Sequence, residues 1–585
     1  MHKLLILFFV LFISNCSTKK QITNENVIRL PLPTEIKGFD PAYAEDLYSH
    51  TVMAQIYETL MQYSYLERPY KVETSLAEKM PEISPDGLTY TFKIKKGVYF
   101  QNDPCFKEKR ELTADDFVYS FKRIADVQTR STGWWIFDKR IVGLNEFREK
   151  TKKGEIDYDK IDVPGLKALD RYTLQIKLTQ PYPQFLYVLT MMYTAAVPKE
   201  AVKYYKDEFL NHPVGTGPYK LVKWVRNSII VLERNPDFRD EYYPTKGEPT
   251  DEKLGLLDDA GKKIPFIDRI EFIIFLEDQP MWLNFLKGNI DRSGIPKDNY
   301  SSAITPSKEL VPELKEKGIT LWKTPMLDVT YIGFNMEDPI LGKNKKLRQA
   351  ISLSHNVERV IELFYNGRAI PAHTPIPPGL DGYDPDFKNP YQKYDPEKAK
   401  KLLAEAGFPE GKGLPELTYE VSGTGTTERQ MAELFKKELE EIGIKIKVNY
   451  NTWPEFLGKL NTRRAQIFGL AWAADYPDAE NFLQLFYGPN SAPGPNNTNF
   501  NSHEYNKLYE KIRTMNPSPE RTKLYKEMSK IIVEECPWVF GTHRLSFGLT
   551  HKWLKNYKPN DVATNTIKYY RIDVEERNRL LKEKF

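Results

Sequence analysis

The sequence contains little cysteine and lacks the spacings from which metal sites are built. Its 585 residues include three cysteines, Cys16, Cys105 and Cys536, and none of them forms a CxxC pair. The eight histidines are scattered, without HxH or HxxxH spacing. Because zinc and iron sites use such closely spaced ligands, the sequence predicts no metal site and no cofactor.

The sequence also lacks a large excess of positive or negative charge. Lysine and arginine together number 84, aspartate and glutamate number 80, and the net charge is +4. A nucleic-acid-binding surface needs a clustered excess of basic side chains, so no nucleic-acid partner is predicted. The hydrophobic fraction of 41% and the charged fraction of 28% indicate a globular, soluble body.

Nucleophile and phosphate-binding motifs are absent as well. The chain has no GxSxG and no HExxH sequence, which argues against the common serine and zinc hydrolases. Gly215-Thr216-Gly217 lacks both the lysine of a phosphate loop and the third glycine of a dinucleotide loop. We interpret it as a tight backbone turn and predict no catalytic residues.

Long apolar runs are confined to the N-terminus. Residues 4–13 are consecutively apolar, a run too short to span a bilayer and typical of an export signal. Cys16 follows this run and resembles the lipid-carrying cysteine of a bacterial lipobox, although Asn15 stands where a glycine or alanine is usual. We predict that residues 1–16 are a lipoprotein signal peptide with its lipid on Cys16. An ordinary secretory peptide is the alternative.

Strand and helix patterns alternate along the rest of the chain. Polar and apolar residues alternate over 89–95, 172–178 and 444–450, which predicts strands with one wetter face. Thr113 is predicted to cap a helix, and Asp395 precedes a proline that suits the first turn of another. This mixture predicts an α/β protein.

Ten short motifs occur in a fixed order over most of the chain. They are FDPA at 39–42, IYETL at 56–60, SPDGLTYTF at 84–92, LTADD at 112–116, PVGTGPY at 213–219, LERNP at 232–236, GFN at 333–335, LRQAI at 347–351, KLLAEAG at 401–407 and WAADYPD at 472–478. Their order resembles the family 5 extracellular solute-binding proteins, the oligopeptide- and dipeptide-binding lipoproteins of ABC importers. The resemblance covers residues 28 to 560.

This resemblance implies a two-lobed periplasmic-binding-protein type II fold of the large peptide-binding kind. Two chain crossings, near Met326 and near Glu535-Cys536-Pro537, would form a hinge about which the lobes close. The expected division is 21–50, 166–325 and 536–585 for lobe one, 51–165 for an added subdomain of lobe one, and 326–535 for lobe two.

The ligand-binding residues implied by the resemblance lie near the WAADYPD motif. Asp475 follows the apolar stretch 467–474, and in peptide-binding relatives the acid at this position pairs with the α-ammonium of the ligand. Trp472 and Ala473 would flank the peptide, which pairs as an added strand. Arg463 is similar to a basic residue of a relative that meets the peptide carboxylate. A helix-capping role is the alternative for Asp475.

The implied function is that of an extracytoplasmic lipoprotein, in the periplasm or on the exterior of the cell envelope. It would act as a monomer, capture short peptides and deliver them to the permease and ATPase subunits of an ABC importer. Relatives with this fold bind oligosaccharides, nickel or haem, so another solute stays open, as do a secreted hydrolase and an adhesin or scaffold. The sequence also leaves open whether Cys105 and Cys536 form a disulfide.

Overall fold

The computed structural model describes residues 25–68, 70–154 and 156–584 of the chain. The predicted signal peptide and Cys16 lie outside these residues. Within them, no helix is both long and apolar enough to cross a membrane.

Lobe one is built around a four-stranded sheet. Its strands lie in the order Val27–Leu32, Arg269–Ile274, Ile229–Arg234 and Tyr219–Val225. The first two are parallel, and the last two form an antiparallel hairpin. Alternate residues of the second strand, such as Ile270 and Phe272, are buried, as the period-two pattern of a half-covered sheet requires.

The added subdomain contains a second four-stranded sheet. Its strands lie in the order Glu82–Ile83, Thr89–Lys93, Thr173–Lys177 and Leu166–Asp170. The last two strands belong to this sheet, so the expected boundary at residue 165 is too early. The helix Ala114–Ala125 packs on it and begins at Thr113, as predicted; the backbone N–H of that residue donates to Asp116 Oδ2 at 2.8 Å.

Lobe two surrounds a five-stranded mixed sheet. The strands lie in the order Ile446–Tyr450, Leu417–Val421, Ile467–Ala473, Asp328–Phe334 and Trp538–Phe540. Separate apolar clusters cover its two faces, which is why the central strands are apolar on both sides. The covering helices are Lys345–Ser354, Val357–Tyr365, Pro396–Glu405, Thr426–Glu440, Trp453–Asn461, His503–Ile512 and Pro519–Glu535.

The chain crosses between the lobes at two places. The first crossing follows strand Ile319–Pro325, close to the expected Met326. The second lies at Gly541 and not at Glu535-Cys536-Pro537, because Trp538 stacks on Tyr331 at 3.5 Å inside lobe two. A Cβ at Gly541 would lie 2.4 Å from Thr330 Oγ1, so this close crossing needs a glycine.

Four further sheets and several short helices complete the architecture of the described residues. One sheet lies at the crossings and has the strand order Arg292–Ser293, Thr542–His551 and Ile319–Pro325. Strand Ala369–Pro371 also pairs with Thr542–His551. The other strands are Met61–Tyr63, Val72–Thr74, Glu241–Tyr242, Lys263–Ile264, Leu554–Lys555 and Arg571–Ile572. The other α-helices are Leu47–Met53, Leu144–Thr151, Phe185–Val188, Lys199–Tyr205, Asp278–Leu286, Tyr300–Ala303, Pro312–Glu316, Glu480–Leu483 and Val574–Glu583.

The two cysteines of the described residues are not bonded to each other. Cys105 is half-buried and Cys536 is buried at the end of helix Pro519–Glu535, and both are free thiols. The pairing that the sequence left open is therefore not formed in this structure.

Candidate functional site

A cavity of about 720 Å³ lies between the two lobes. Aromatic rings line it from both sides, Tyr48 and Tyr193 from lobe one and Trp453 and Trp472 from lobe two. A space of this size, lined by aromatic rings together with polar and charged groups, is typical of a small-ligand site.

The lobes touch each other around this cavity, so the structure is a closed form. Asn461 of lobe two donates to Glu45 of lobe one at 3.0 Å. On another side, the backbone N–H and the hydroxyl of Thr426 donate to Glu277 Oε2 at 3.2 and 3.1 Å. Glu277 thereby caps a lobe-two helix whose own preceding residue, Gly425, has no side chain with which to do so.

The strand Ile467–Ala473 presents an open edge to the cavity. One edge pairs along its whole length with Asp328–Phe334. The other edge pairs with strand Leu417–Val421 only through Ile467 and Phe468. Residues 469–473 all line the cavity, and within the described residues no strand pairs with this second edge. Their backbone groups are therefore placed to accept an added strand.

Asn481 joins the two predicted ligand-binding side chains at the end of this strand. Its Oδ1 accepts hydrogen bonds from Trp472 Nε1 and from the backbone N–H of Asp475, each at 3.0 Å. Its Nδ2 donates to Asp475 Oδ2 at 2.9 Å. Asn481 is fully buried, so this amide holds both side chains in one arrangement.

Asp475 is a cavity carboxylate without a cation of its own. Burial raises its pKa to about 7, the hydrogen bond from Asn481 lowers it, and the charge of Glu480 raises it. Among the described residues, none forms an ion pair with it. A partly buried carboxylate in this condition is stabilised by an incoming positive charge, so the arrangement suits a ligand that brings an ammonium group.

The segment after Asp475 contacts both lobes. Asp478 accepts from Gln184 Nε2 of lobe one at 3.0 Å and forms an ion pair with Arg521 of its own lobe at 2.8 Å. Tyr476 stacks on Tyr187 with ring centroids 5.8 Å apart. The contacts with Gln184 and Tyr187 join the end of strand Ile467–Ala473 to lobe one, so closure and the position of Asp475 are coupled.

Asn481→Ala should lower ligand affinity about tenfold. The Trp472 indole and the Asp475 backbone would lose their acceptor, and buried donors without partners cost about 1–3 kcal/mol each. Loss of the amide donor should also raise the pKa of Asp475, so the pH midpoint of binding should move upward. Calorimetric titration across pH measures both effects. Asn449→Ala, in the same lobe and outside the cavity, should change neither. Unchanged affinity and midpoint would leave Asn481 a purely structural role.

The structure does not bring Arg463 to this cavity. Its Nη1 forms an ion pair with Glu337 at 2.6 Å, and its Nη2 donates to the carbonyl of Ala492 at 2.7 Å. The basic residue that does line the cavity is Arg544, whose Nε donates to Asp328 Oδ2. Asp475, Trp472 and Ala473 are in the lining.

Sequence reasoning missed Asn481 and Arg544. Asn481 lies six residues beyond Asp475 in the sequence, and this local spacing was a usable signal. Arg544 lies after the second crossing, far from the other site residues in sequence, so no local pattern connects it with Asp475.

Two α/β lobes, two crossings and a closed cavity between them define a two-lobed solute-binding protein of the type II class. The chain belongs to the bacterial extracellular solute-binding proteins of family 5, since the model of the middle region of this family matches residues 71–494. The expected family and fold class are thus confirmed.

Individual relatives are similar over most of their length. The chain is 28% identical to the dipeptide-binding protein of Escherichia coli, over 83% of this chain and 84% of that protein. It is 28% identical to heme-binding protein A of Haemophilus influenzae, over 89% and 87%. The structure of the periplasmic binding protein DppA from Helicobacter pylori in complex with the peptide STSA superposes with a TM-score of 0.77 and 26% identity, covering 94% of this chain and 98% of that one.

Proposed function

We propose that this protein captures short peptides outside the cytoplasm and delivers them to the permease and ATPase subunits of an ABC importer. The observation that carries the proposal is the open strand edge 469–473 ending at the unpaired carboxylate of Asp475. The peptide backbone would extend the sheet, its α-ammonium would meet Asp475, and Trp472 and Ala473 would flank it. Backbone pairing of this kind accepts many side chains.

Two relatives support a peptide as the ligand. The protein from Escherichia coli is a dipeptide-binding protein, and the one from Helicobacter pylori was solved with a peptide. We further propose a lipid anchor on Cys16 that holds the protein at the membrane surface as a monomer. Intact-mass measurement of the membrane-bound protein tests the anchor, and an unmodified N-terminus would contradict it.

Haem, nickel and oligosaccharides fit the site less well. Haem carries two propionates, which the carboxylates of the cavity would repel. Among the described residues, no group of three His, Cys, Asp or Glu side chains converges to hold a metal ion. A neutral sugar has no ammonium to compensate Asp475. Because one relative is a heme-binding protein, haem is the comparison ligand in the binding experiment.

Peptide binding and lobe closure can be measured on one sample. The protein is unfolded to release bound ligands, which are identified by mass spectrometry, and is then refolded and titrated with trialanine. We expect saturable binding, a smaller radius of gyration by small-angle scattering as the lobes close, and recovery of the peptide intact. Binding of haem but not of trialanine would overturn the proposal, and cleaved peptide would favour the hydrolase.

A further inference from the structure

The charge of the cavity wall is one-sided. Eight carboxylates line the cavity, whereas Arg544 is the only lysine or arginine among its described lining residues. The guanidinium of Arg544 is already neutralised by Asp328. The wall therefore has an excess of negative charge that the protein itself does not balance.

Four of these carboxylates have evident structural partners. Glu45 forms an ion pair with Lys37 at 2.9 Å, and Glu277 caps the lobe-two helix. Asp46 accepts from two backbone N–H groups at the start of helix Leu47–Met53, and Glu35 accepts from Trp224 Nε1 at 3.1 Å. These groups hold the fold and need no ligand.

The other four, Asp278, Glu428, Asp475 and Asp561, form no ion pair among the described residues. Burial is the first cause that raises the pKa of each of them. Asp278 is exposed, and Glu428, Asp475 and Asp561 are partly buried. Carboxylates from both lobes that line one cavity without a paired cation repel each other when the cavity is empty and are stabilised when a cation enters.

Asp278 and Glu428 face the same part of the cavity from opposite lobes. Asp278 begins helix Asp278–Leu286 of lobe one, and Glu428 lies in the first turn of helix Thr426–Glu440 of lobe two. The charges of Asp278 and Glu277 both raise the pKa of Glu428, so the groups are electrostatically close. Closure brings them together, as the 3.4 Å contact from the Thr427 hydroxyl to Asp278 shows.

An aromatic wall adjoins these carboxylates. The rings of Tyr48 and Trp453, one from each lobe, meet edge to face with centroids 6.4 Å apart. The charge of Glu428 acts on Tyr48, which places the ring near the acidic pair. Carboxylates beside aromatic faces form a favourable environment for an ammonium or guanidinium group.

We infer that the cavity selects peptides that carry a lysine or arginine side chain, with this second cation between Glu428 and Asp278. The inference rests on the proposed function, since it assumes that the α-ammonium of the peptide occupies Asp475. Glutamate-containing peptides should be rejected, because another carboxylate would be brought against an uncompensated acidic wall.

The test compares tripeptides of one length that differ in one side chain. Lysine, glutamine or glutamate is placed in turn at the second and third positions of trialanine, and each affinity is measured by calorimetry. At one position, lysine should bind at least about tenfold more tightly than glutamine, and glutamate at least about tenfold more weakly. Equal affinities at both positions would overturn this inference while leaving peptide binding intact. Failure of every peptide, trialanine included, would overturn the proposed function itself.

Substitutions of Glu428 and Asp278 test whether these two residues cause the preference for lysine over glutamine. Glu428→Gln and Asp278→Asn should each reduce the ratio of lysine to glutamine affinities about threefold or more. This ratio is the readout because general damage to the fold lowers both affinities alike. Glu433→Gln removes an exposed carboxylate from the same helix, outside the cavity, and should preserve the ratio. Unchanged ratios in both acidic variants would show that the second cation is not held here.

Discussion

Asp475→Ala should lower the affinity for peptides with a free N-terminus by at least about 30-fold. The carboxylate lies in a closed cavity where an ammonium–carboxylate contact is strong and both ions are desolvated. Removing one partner of such a pair costs about 2–5 kcal/mol, which corresponds to roughly 30- to 4,000-fold in affinity. Calorimetric titration with trialanine measures the change. Asp384→Ala, which removes a carboxylate paired with Lys526 away from the cavity, should have no effect.

N-acetylation of the peptide separates this contact from general damage. The acetyl group removes the charge of the ligand as the substitution removes that of the protein. Acetylated trialanine should therefore bind the wild type weakly and lose little further affinity in Asp475→Ala, so the two changes should be far from additive. Equal binding of free and acetylated peptide to the wild type would leave Asp475 only its structural contact with Asn481. A ligand without a free amine would then be the better interpretation.

Affinity for free-amine peptides should fall steeply below neutral pH. Burial raises the pKa of Asp475 to about 7 in this closed structure, and the ion pair requires the carboxylate form. Protonation therefore competes with the ligand, and each pH unit below 7 should lower affinity by up to about tenfold, or about a hundredfold between pH 7 and 5. Above pH 8 the peptide amine, with a pKa of about 7.7–8.0, loses its proton and affinity should fall again.

If Asp475 causes the fall in affinity below pH 7, this fall should disappear in the Asp475→Asn variant. Glu480, whose charge acts on Asp475, is itself held by the hydroxyls of Tyr476 and Tyr509 and by an ion pair with Arg140 at 3.9 Å. The affinity of the wild type for acetylated trialanine should not fall between pH 7 and pH 5, because this ligand does not form the ion pair. Titrations in matched buffers from pH 5 to 9 provide the measurement, and a flat profile between pH 5 and 7 would contradict an ion pair at this position.

The ligand-facing strand was predictable because its signal is local. An apolar run of seven or eight residues that ends at Asp475 predicts a buried strand with a polar end. The structure forms this strand over Ile467–Ala473. Trp472 and Ala473 reach the cavity with it because they share its open edge. Local order in the chain is preserved in space here, so Asp475, Trp472 and Ala473 all line the cavity, and their contact with a ligand stays a prediction.

Arg463 shows where the same reasoning fails. It was inferred from its similarity to a basic residue of a relative, but it lies at the opposite end of the strand and binds Glu337 and Ala492. The cation that reaches the cavity, Arg544, comes from strand Thr542–His551 beyond the second crossing. Its position depends on how the crossing at Gly541 packs against Thr330, which no pattern in either segment encodes.

The sequence by itself determined the alternation of strands and helices, the family and the acid at the end of the ligand-facing strand, because each depends on residues that are neighbours in the chain. The positions of Arg463 outside the site and of Asp278 and Glu428 at one cavity became clear only from the folded protein. Charge balance at these positions depends on groups that are more than a hundred residues apart in the chain, as Arg463 and Glu337 are, and closure of the two lobes makes Asp278 and Glu428 neighbours.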